Sequence, residues 1–431
     1  MSLPVILLAL LSCLPWAPAA AELRIQITRG VSEAVPIAVV PFGWSGGQAL
    51  PLDVAAVVAG DLASSGRFAP MDRRDMVSMP SVPDDLVPAD WRLLNVDVVV
   101  IGQVVPAGPG KVEIRFHVFD VYRGQALMDY SLEAPVNNLR AAAHRIADMI
   151  FERLTGVPGV FSTRIAYVSV DRSGDQEVYR LVVADADGAS PTVIAESPEP
   201  IMSPAWSPDG RRMAYVSFES GNSAVYVQEL ATGRRKPVSE APGINGAPAW
   251  SPDGRRLAMT LSGVDGNLDV FVVNADGSGR QRVTTNPAID TEAAWAPDGR
   301  SLFFTSDRAG GPQIYQRNLA GGPPRRVTFE GVYNARPRVS PDGKTLAVVH
   351  NDRGNYRIAA VDLDRGTVRV LSDGRQDESP SFAPNGSLII YATRDRGEAV
   401  LAAVSVDGRV QQRIASTEGD VREPVWSPYR E

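Results

Sequence analysis

The chain has 431 residues, 44% hydrophobic and 22% charged, with a formal net charge of −7 and a pI near 5.3. That is enough chain for two hydrophobic cores, and an acidic balance without any Lys/Arg block argues against a nucleic-acid groove. The single cysteine excludes a disulfide framework.

The first residues read as an export signal. An apolar run from Val5 to Leu14 is followed by helix-breaking Pro15 and Pro18 and by Ala19-Ala20-Ala21 before Glu22. Cleavage after Ala21 is predicted, so 1–21 would be removed and the chain released outside the cytoplasm. This first region carries no Lys or Arg, leaving the amino terminus as its positive charge. Leu10-Leu11-Ser12-Cys13 offers an alternative lipoprotein site that would leave Cys13 acylated, but Ala19 to Ala21 is the better cleavage site. No later stretch is apolar enough to span a bilayer, so no direct membrane insertion is expected.

Residues 22–159 are predicted to form a small N-terminal α/β domain. Leu23 to Thr28 alternates apolar and polar residues and Pro36 to Phe42 is a continuous apolar run, so both read as strands with a turn between them. Leu52 to Ser65 reads as a helix stopped by Gly66. Asp97 to Val105, Lys111 to Asp120 and Gln125 to Ala134 read as a meander with short Gly-containing turns. In Asn138 to Leu154, one apolar face (Leu139, Ala142, Ala143, Ile146, Met149, Ile150, Leu154) predicts a helix covering one side of that sheet, capped by Asn137 or Asn138 and ended by Gly156. Thr155 to Thr163 reads as the linker.

Gly43-Trp44-Ser45-Gly46-Gly47 fits the G-x-S-x-G pattern of a hydrolase nucleophile elbow. In an elbow the helix starts at the nucleophile, whereas here Gly46 to Leu50 intervenes before the predicted helix. A loop between strand and helix is the reading adopted.

Residues 160–431 are organised by a repeat. Pro204-Ala205-Trp206-Ser207-Pro208-Asp209-Gly210 recurs so that its bulky residue falls at Trp206, Trp250, Trp295, Val339, Phe382 and Trp426, in steps of 44, 45, 44, 43 and 44. Such a period predicts four-stranded propeller blades. Ser-Pro-Asp-Gly suits a type I turn between the first two strands, and the aromatic before it is read as packing between blades. Before the first motif the chain offers the second, third and outer strands of a blade; after the last, Val421 to Ser427 offers only an inner strand. The two partial sets predict an all-β six-bladed β-propeller closed by its C-terminal strand, without a long free edge.

The residues just before each aromatic differ from copy to copy and are predicted to ring one mouth of the central channel, where binding usually resides. They include Met202 and Ser203, Gly246 and Ala247, Thr291 and Glu292, Arg336, Glu378, and Arg422 with Glu423. With Asp290 and Asp377 they make a mixed-charge rim. Its carboxylates offer oxygen ligands for a hard cation such as Ca²⁺, with solvated charges as the plainer alternative; no catalytic constellation and no other cofactor is expected.

These stretches together resemble the TolB family of the Tol-Pal cell-envelope system over essentially the whole length after the signal. Matching segments include Glu22-Leu23-Arg24-Ile25, Pro36 to Phe42, Asp61 to Phe68, Phe151 to Gly156, Thr163 to Val168, Met202 to Gly210 and the Val425-Trp426-Ser427-Pro428-Tyr429 ending. The resemblance implies a monomeric, non-catalytic periplasmic adaptor that supports outer-membrane integrity and envelope constriction during division. It implies that the mouth binds the peptidoglycan-associated lipoprotein Pal through residues such as Asn245, Gly246, Ala247, Thr291 and Glu292. It further implies that Glu22, Leu23, Arg24 and Ile25 bind the C-terminal domain of TolA, and that bacteriocin peptides can exploit the same mouth. Ile244 departs from the family, whose members can carry His there. Rival readings are a propeller-containing hydrolase, which requires a further α/β domain, and a glycan-binding propeller.

Overall fold

The computed structural model describes residues 23–29, 34–172, 174, 176–263, 265–416 and 419–429, without the side chains of Arg24, Ala415 and Ser416. The export signal with its cleavage site, Cys13, Glu22 and the turn after the first strand lie outside them.

In the N-terminal domain, β2 (Val35–Val39) pairs in parallel with β4 (Phe68–Pro70) and β5 (Val98–Pro106), and short β3 (Gly43–Trp44) also pairs with β5. The predicted meander follows as antiparallel β6 (Lys111–Asp120) and β7 (Gln125–Pro135). Both faces of the sheet are covered, which is why Val98 to Ile101 is apolar without alternation. Val98 and Val100 meet α1 (Val54–Ser64) and α3 (Leu139–Thr155), while Val99 and Ile101 pack against Trp91 of the short helix α2 (Pro88–Leu93). Neither β4 nor α2 was predicted, since each is too short for a periodic signal.

Helix ends follow their side chains. Asp53 caps α1 by accepting from the Ala56 amide, so this helix starts later than the apolar pattern suggested. Gly156 ends α3 in the left-handed conformation, φ 73°. Asn138 occupies the N-cap position of α3 but makes no side-chain capping bond among the described residues, and a 3₁₀ turn over Val136–Asn138 leads into the helix instead. The elbow reading of Gly43 to Gly47 fails in the same physical terms: Ser45 is exposed and α1 begins only at Val54.

The remaining strands form six four-stranded antiparallel blades, the last extended by a fifth strand. Blade I consists of the C-terminal strand Asp420–Trp426 paired with Arg164–Asp171, followed by Val178–Asp185 and Thr192–Ser197. The inner strands of blades II to VI are Ile201–Trp206, Asn245–Trp250, Asp290–Trp295, Asn334–Val339 and Glu378–Phe382. Each seam between neighbouring blades has its own apolar cluster, so the core is a ring of six small cores.

The repeat motif serves two ends. Ser207 holds the turn: its amide donates to Arg212 O (2.9 Å), its hydroxyl accepts from the Arg212 amide (2.8 Å), and Gly210 closes the turn at φ 65°. The tryptophans stitch blades together, since Trp206, Trp250 and Trp295 each donate Nε1–H to a carbonyl of the preceding blade (Val425, Ala205, Ala249) at 3.0–3.2 Å. Arg164, Arg212 and Arg256 lie over their rings at 5.0, 4.5 and 4.8 Å. Trp426 instead bonds Thr163 Oγ1 at 2.8 Å, fastening the closing strand to the end of the linker.

The linker is packed. Val160 and Phe161 are buried, Asp148 of α3 accepts from the Phe161 and Ser162 amides, and Asn385 of blade VI donates to Pro158 O. Replacing Trp250 by Phe removes one seam hydrogen bond, to Ala205 O, and shrinks a buried ring that Arg212 covers. We expect a destabilisation of about 1–3 kcal/mol, read as a lower denaturation midpoint; an unchanged midpoint would mean the stitch contributes nothing.

Candidate functional site: the propeller mouth

The inner strands share one irregularity. Each carries a register shift near its start, and at that point one non-glycine residue per blade is left-handed: Ser203, Ala247, Glu292, Arg336, Ser379 and Glu423, with φ between 47° and 55°. An L-residue adopts this conformation only when the surroundings impose it. The bulge bends the strand and re-aims the residue, here toward the neighbouring blade. The Ser203 amide donates to Glu423, and the Arg336 amide donates to Glu292 Oε2 (3.1 Å) and Thr305 Oγ1 (3.0 Å). The Glu292 amide donates to Thr260 Oγ1 (3.2 Å).

Arg336 is the hub of this ring. Its Nε donates to Glu292 Oε1 at 2.8 Å, its Nη1 donates to the Ser379 hydroxyl, and Glu378 and Glu423 stand 3.9 and 4.0 Å away. Burial disfavours the guanidinium, but Glu423, Glu292 and Glu378 outweigh it and raise its proton affinity. Two residues along the same strand, Arg338 is pushed the other way by burial, with its Nη1 donating to Pro337 O at 2.9 Å. A cleft of about 490 Å³ opens above, lined by Glu292, Tyr333, Arg336, Tyr356, Glu378 and Arg422 among others.

The residue before each bulge pair has a different task. Asn245 is fully buried and spends its side chain on Ser239, Ala241 and Ser223, shaping its loop rather than meeting a partner directly. Asp290 and Asp377, expected as solvated rim charges, are also fully buried. Asp290 is held by both carboxylate oxygens to Arg308 Nη2 at 2.8 Å, and Asp377 accepts from Ser372, Thr393 and the Gly374 amide. Burial raises the Asp377 pKa against those hydrogen bonds. The carboxylates facing the mouth are therefore Glu292, Glu378 and Glu423, and a hard cation there would meet the Arg336 guanidinium among them.

Of the predicted ring, Glu292, Arg336, Glu378 and Arg422 line one cleft, and Glu423 meets it through Arg336. Met202 and Ser203 stand on blade II and Gly246 and Ala247 on blade III. The loop tips carry what the sequence reading missed, an exposed apolar rim of Ile244, Ile289, Phe329 (66% exposed) and Val332 (77%). Tyr333 and Tyr356 meet edge to face at 5.1 Å beside it. The departure at Ile244 belongs to this rim. The available signal was large apolar residues in loops that the strand pattern had no use for.

The second predicted site lies elsewhere. β1 (Leu23–Arg29) does not pair with its own domain; it adds to the outer strand Gln411–Ser416 of blade VI, with Leu23 opposite Ser416 and Ile27 opposite Gln412. Leu23 (3% exposed) joins the cluster at the seam of blades VI and I, and Ile25 packs against it.

Residues 23–127 match the model of the TolB amino-terminal domain, and residues 151–430 that of the TolB beta propeller domain. The Tol-Pal system protein TolB of Xanthomonas campestris pv. campestris (strain B100) is 47% identical over 411 residues, spanning 95% of this chain and 93% of that protein. Its counterpart in Xanthomonas oryzae pv. oryzae (strain PXO99A) is 46% identical over the same shares. The crystal structure of TolB from Acinetobacter baumannii superposes with a TM-score of 0.88 at 39% identity, covering 95% of this chain and all of that one. With both domains, the six blades and nearly the whole length matched, this chain belongs to the TolB family of Tol-Pal system proteins.

Proposed function

We propose that this protein is a non-catalytic periplasmic adaptor of the Tol-Pal system. Its mouth grips Pal, its N-terminal segment engages the C-terminal domain of TolA, and the linkage supports outer-membrane integrity and constriction during division. The observation that carries this reading is the mouth: a rigid mixed-charge ring inside an exposed apolar rim. Exposed apolar side chains beside fixed charges suit a protein partner, the former as anchors and the latter to set its register. The cleft also has room for an extended peptide, the form in which a bacteriocin segment would compete.

β1 supplies the second half of the reading. It is an edge strand held by backbone pairing, buried Leu23, half-buried Ile25 and one hydrogen bond from the Thr28 hydroxyl to Gln411 O, so releasing it costs less than opening a blade. While seated, Leu23 and Ile25 are covered by the propeller; a partner that takes them must first unseat the strand. Mouth and strand are then two sites coupled through the propeller. Ca²⁺ at Glu378 and its neighbours is a narrower proposal for the same rim, tested by calorimetric titration of the chain with calcium chloride.

Val332→Asp changes only an exposed rim residue. It is expected to leave stability unchanged and weaken Pal at least about tenfold, or ~1.4 kcal/mol. Glu292→Arg deletes the acceptor of the Arg336 amide and Nε and adds a like charge; a larger loss of Pal affinity is expected by calorimetry, and unchanged affinity would remove the site from the mouth. Deleting residues 22–25 is expected to abolish TolA binding and alter the affinity for Pal. If neither moved, both the site and the coupling would be wrong.

A further inference from the structure

Beneath β1 the two domains meet at a buried charged cluster that the adaptor reading does not use. His144 of α3 is 2% exposed. Its Nδ1 lies 2.6 Å from Asp61 Oδ2 on α1, while its Nε2 is buried, makes no hydrogen bond among the described residues, and faces Asp187 Oδ2 of the propeller at 3.7 Å. Asp187 sits in the turn between the third and outer strands of blade I, where Arg140 Nη2 also donates to its Oδ2. Asp148 on α3 and Asp185 at the end of the blade strand complete the charged surroundings of the imidazole. The cluster thus sets four carboxylates against one guanidinium.

The same turn is the seat of β1. Gly188, next to Asp187, takes φ 87° and lies so close to Leu23 that an added Cβ would fall 2.4 Å from the Leu23 Cβ. Along the strand, Ile25 and Ile27 share one cleft with Asp61, Arg140 and Asp187. The turn that faces His144 is therefore also the turn against which Leu23 packs.

Hydrogen-bond chemistry defines the two states of this contact. With Nδ1–H donated to Asp61, a neutral imidazole turns its Nε2 lone pair on a carboxylate oxygen, which is repulsive. A proton taken from solvent onto Nε2 converts that lone pair into a donor aimed across the domain boundary and neutralises part of the carboxylate excess. We propose that Asp61, His144 and Asp187 form a proton-operated clasp between the domains, which keeps β1 seated while His144 is protonated and frees it when that proton leaves. The clasp rests on the reading of β1 as an exchangeable strand.

The sign of the pH dependence follows from the neighbours. Burial disfavours the imidazolium, but the hydrogen bond and charge of Asp61, with Asp187 and Asp185, outweigh it and hold His144 above its ordinary value; burial pushes Asp61 up to about 6. The bond to Asp61 lies within the first domain, so it is the charge of Asp187 and Asp185 across the boundary that makes the seated state bind the His144 proton more tightly than the released state. The His144 contribution to the seat is fully present below the ordinary histidine pKa of about 6.5 and is lost as pH rises through the raised value. A divalent metal between Nε2 and Asp187 would face the Arg140 guanidinium on the same oxygen, which favours the proton.

The test is amide hydrogen exchange on the full chain without partners, across pH 5.5 to 8.5 and corrected for intrinsic rates. Opening of the Leu23 to Arg29 amides is expected to increase about tenfold for each unit by which the seated histidine's pKa exceeds the released value, while blade III stays constant. His144→Gln should flatten that dependence. Asp187→Asn, which keeps the size of the side chain, should do the same and stands in should the first variant fail to fold. A flat wild-type profile, or a slope retained in both variants, overturns the clasp. So does restored protection of the wild type at pH 8 by added Zn²⁺, which would assign the cluster to a metal. No TolA is present, so loss of TolA binding and loss of the pH dependence are separate outcomes.

Discussion

Everything in the propeller depends on one pairing, that of the C-terminal strand Asp420–Trp426 with Arg164–Asp171. A blade cannot bury both of its faces alone; each finds its core only against the next blade, as the six seam clusters show. Without closure, the seam between blades VI and I would expose Ile165, Tyr167, Leu401 and Trp426 together. With closure, the ring has no free end, and the six left-handed residues are held at one height around the channel. The mouth is rigid because the ring is closed.

Rigidity also explains how the strained mouth backbone persists. A left-handed Glu or Arg costs on the order of 1–3 kcal/mol, and nothing local to the sequence recovers it. The surrounding hydrogen bonds do: Glu423 takes the Ser203 amide, Glu292 takes the Arg336 amide, and buried Asn245, Asp290, Asn334 and Asp377 hold the loops that lead in. Polar residues inside the loops set the shape, charged residues on the bulges line the channel, and apolar residues at the tips stay uncovered. Only the last two groups are free to meet another molecule.

At the other end of the molecule the two domains are joined by more than a linker. Asp148 grips residues Phe161 and Ser162, Gln412 of blade VI donates to Ser64 O, and the charged cluster of Asp61, His144 and Asp187 closes the same boundary. β1 lies across it, belonging by sequence to one domain and by pairing to the other. A strand in that position reports on the domain boundary, and the boundary bears on the strand.

The blade period, the completion of blade I from both ends of the chain, the meander and the long helix of the first domain were all legible in the residues, because each rests on spacing. Turn residues at fixed offsets and alternating apolar positions need no knowledge of what lies opposite. The mouth was legible only as positions. Nothing in Ser203, Glu292 or Arg336 signals a left-handed backbone, and nothing in Asn245 or Asp290 signals full burial. The partner of β1 was not legible, since any open sheet edge satisfies its backbone and the choice of blade VI rests on where Leu23 finds a buried site. Asp61 and His144, 83 residues apart, and Asp187 beyond them share no local pattern. The repeats, their turns and their number have local causes and can be read along the chain; which side chains face the channel, which edge takes the first strand and which charges meet between the domains depend on ring closure and domain docking, and so appear only once the chain is folded.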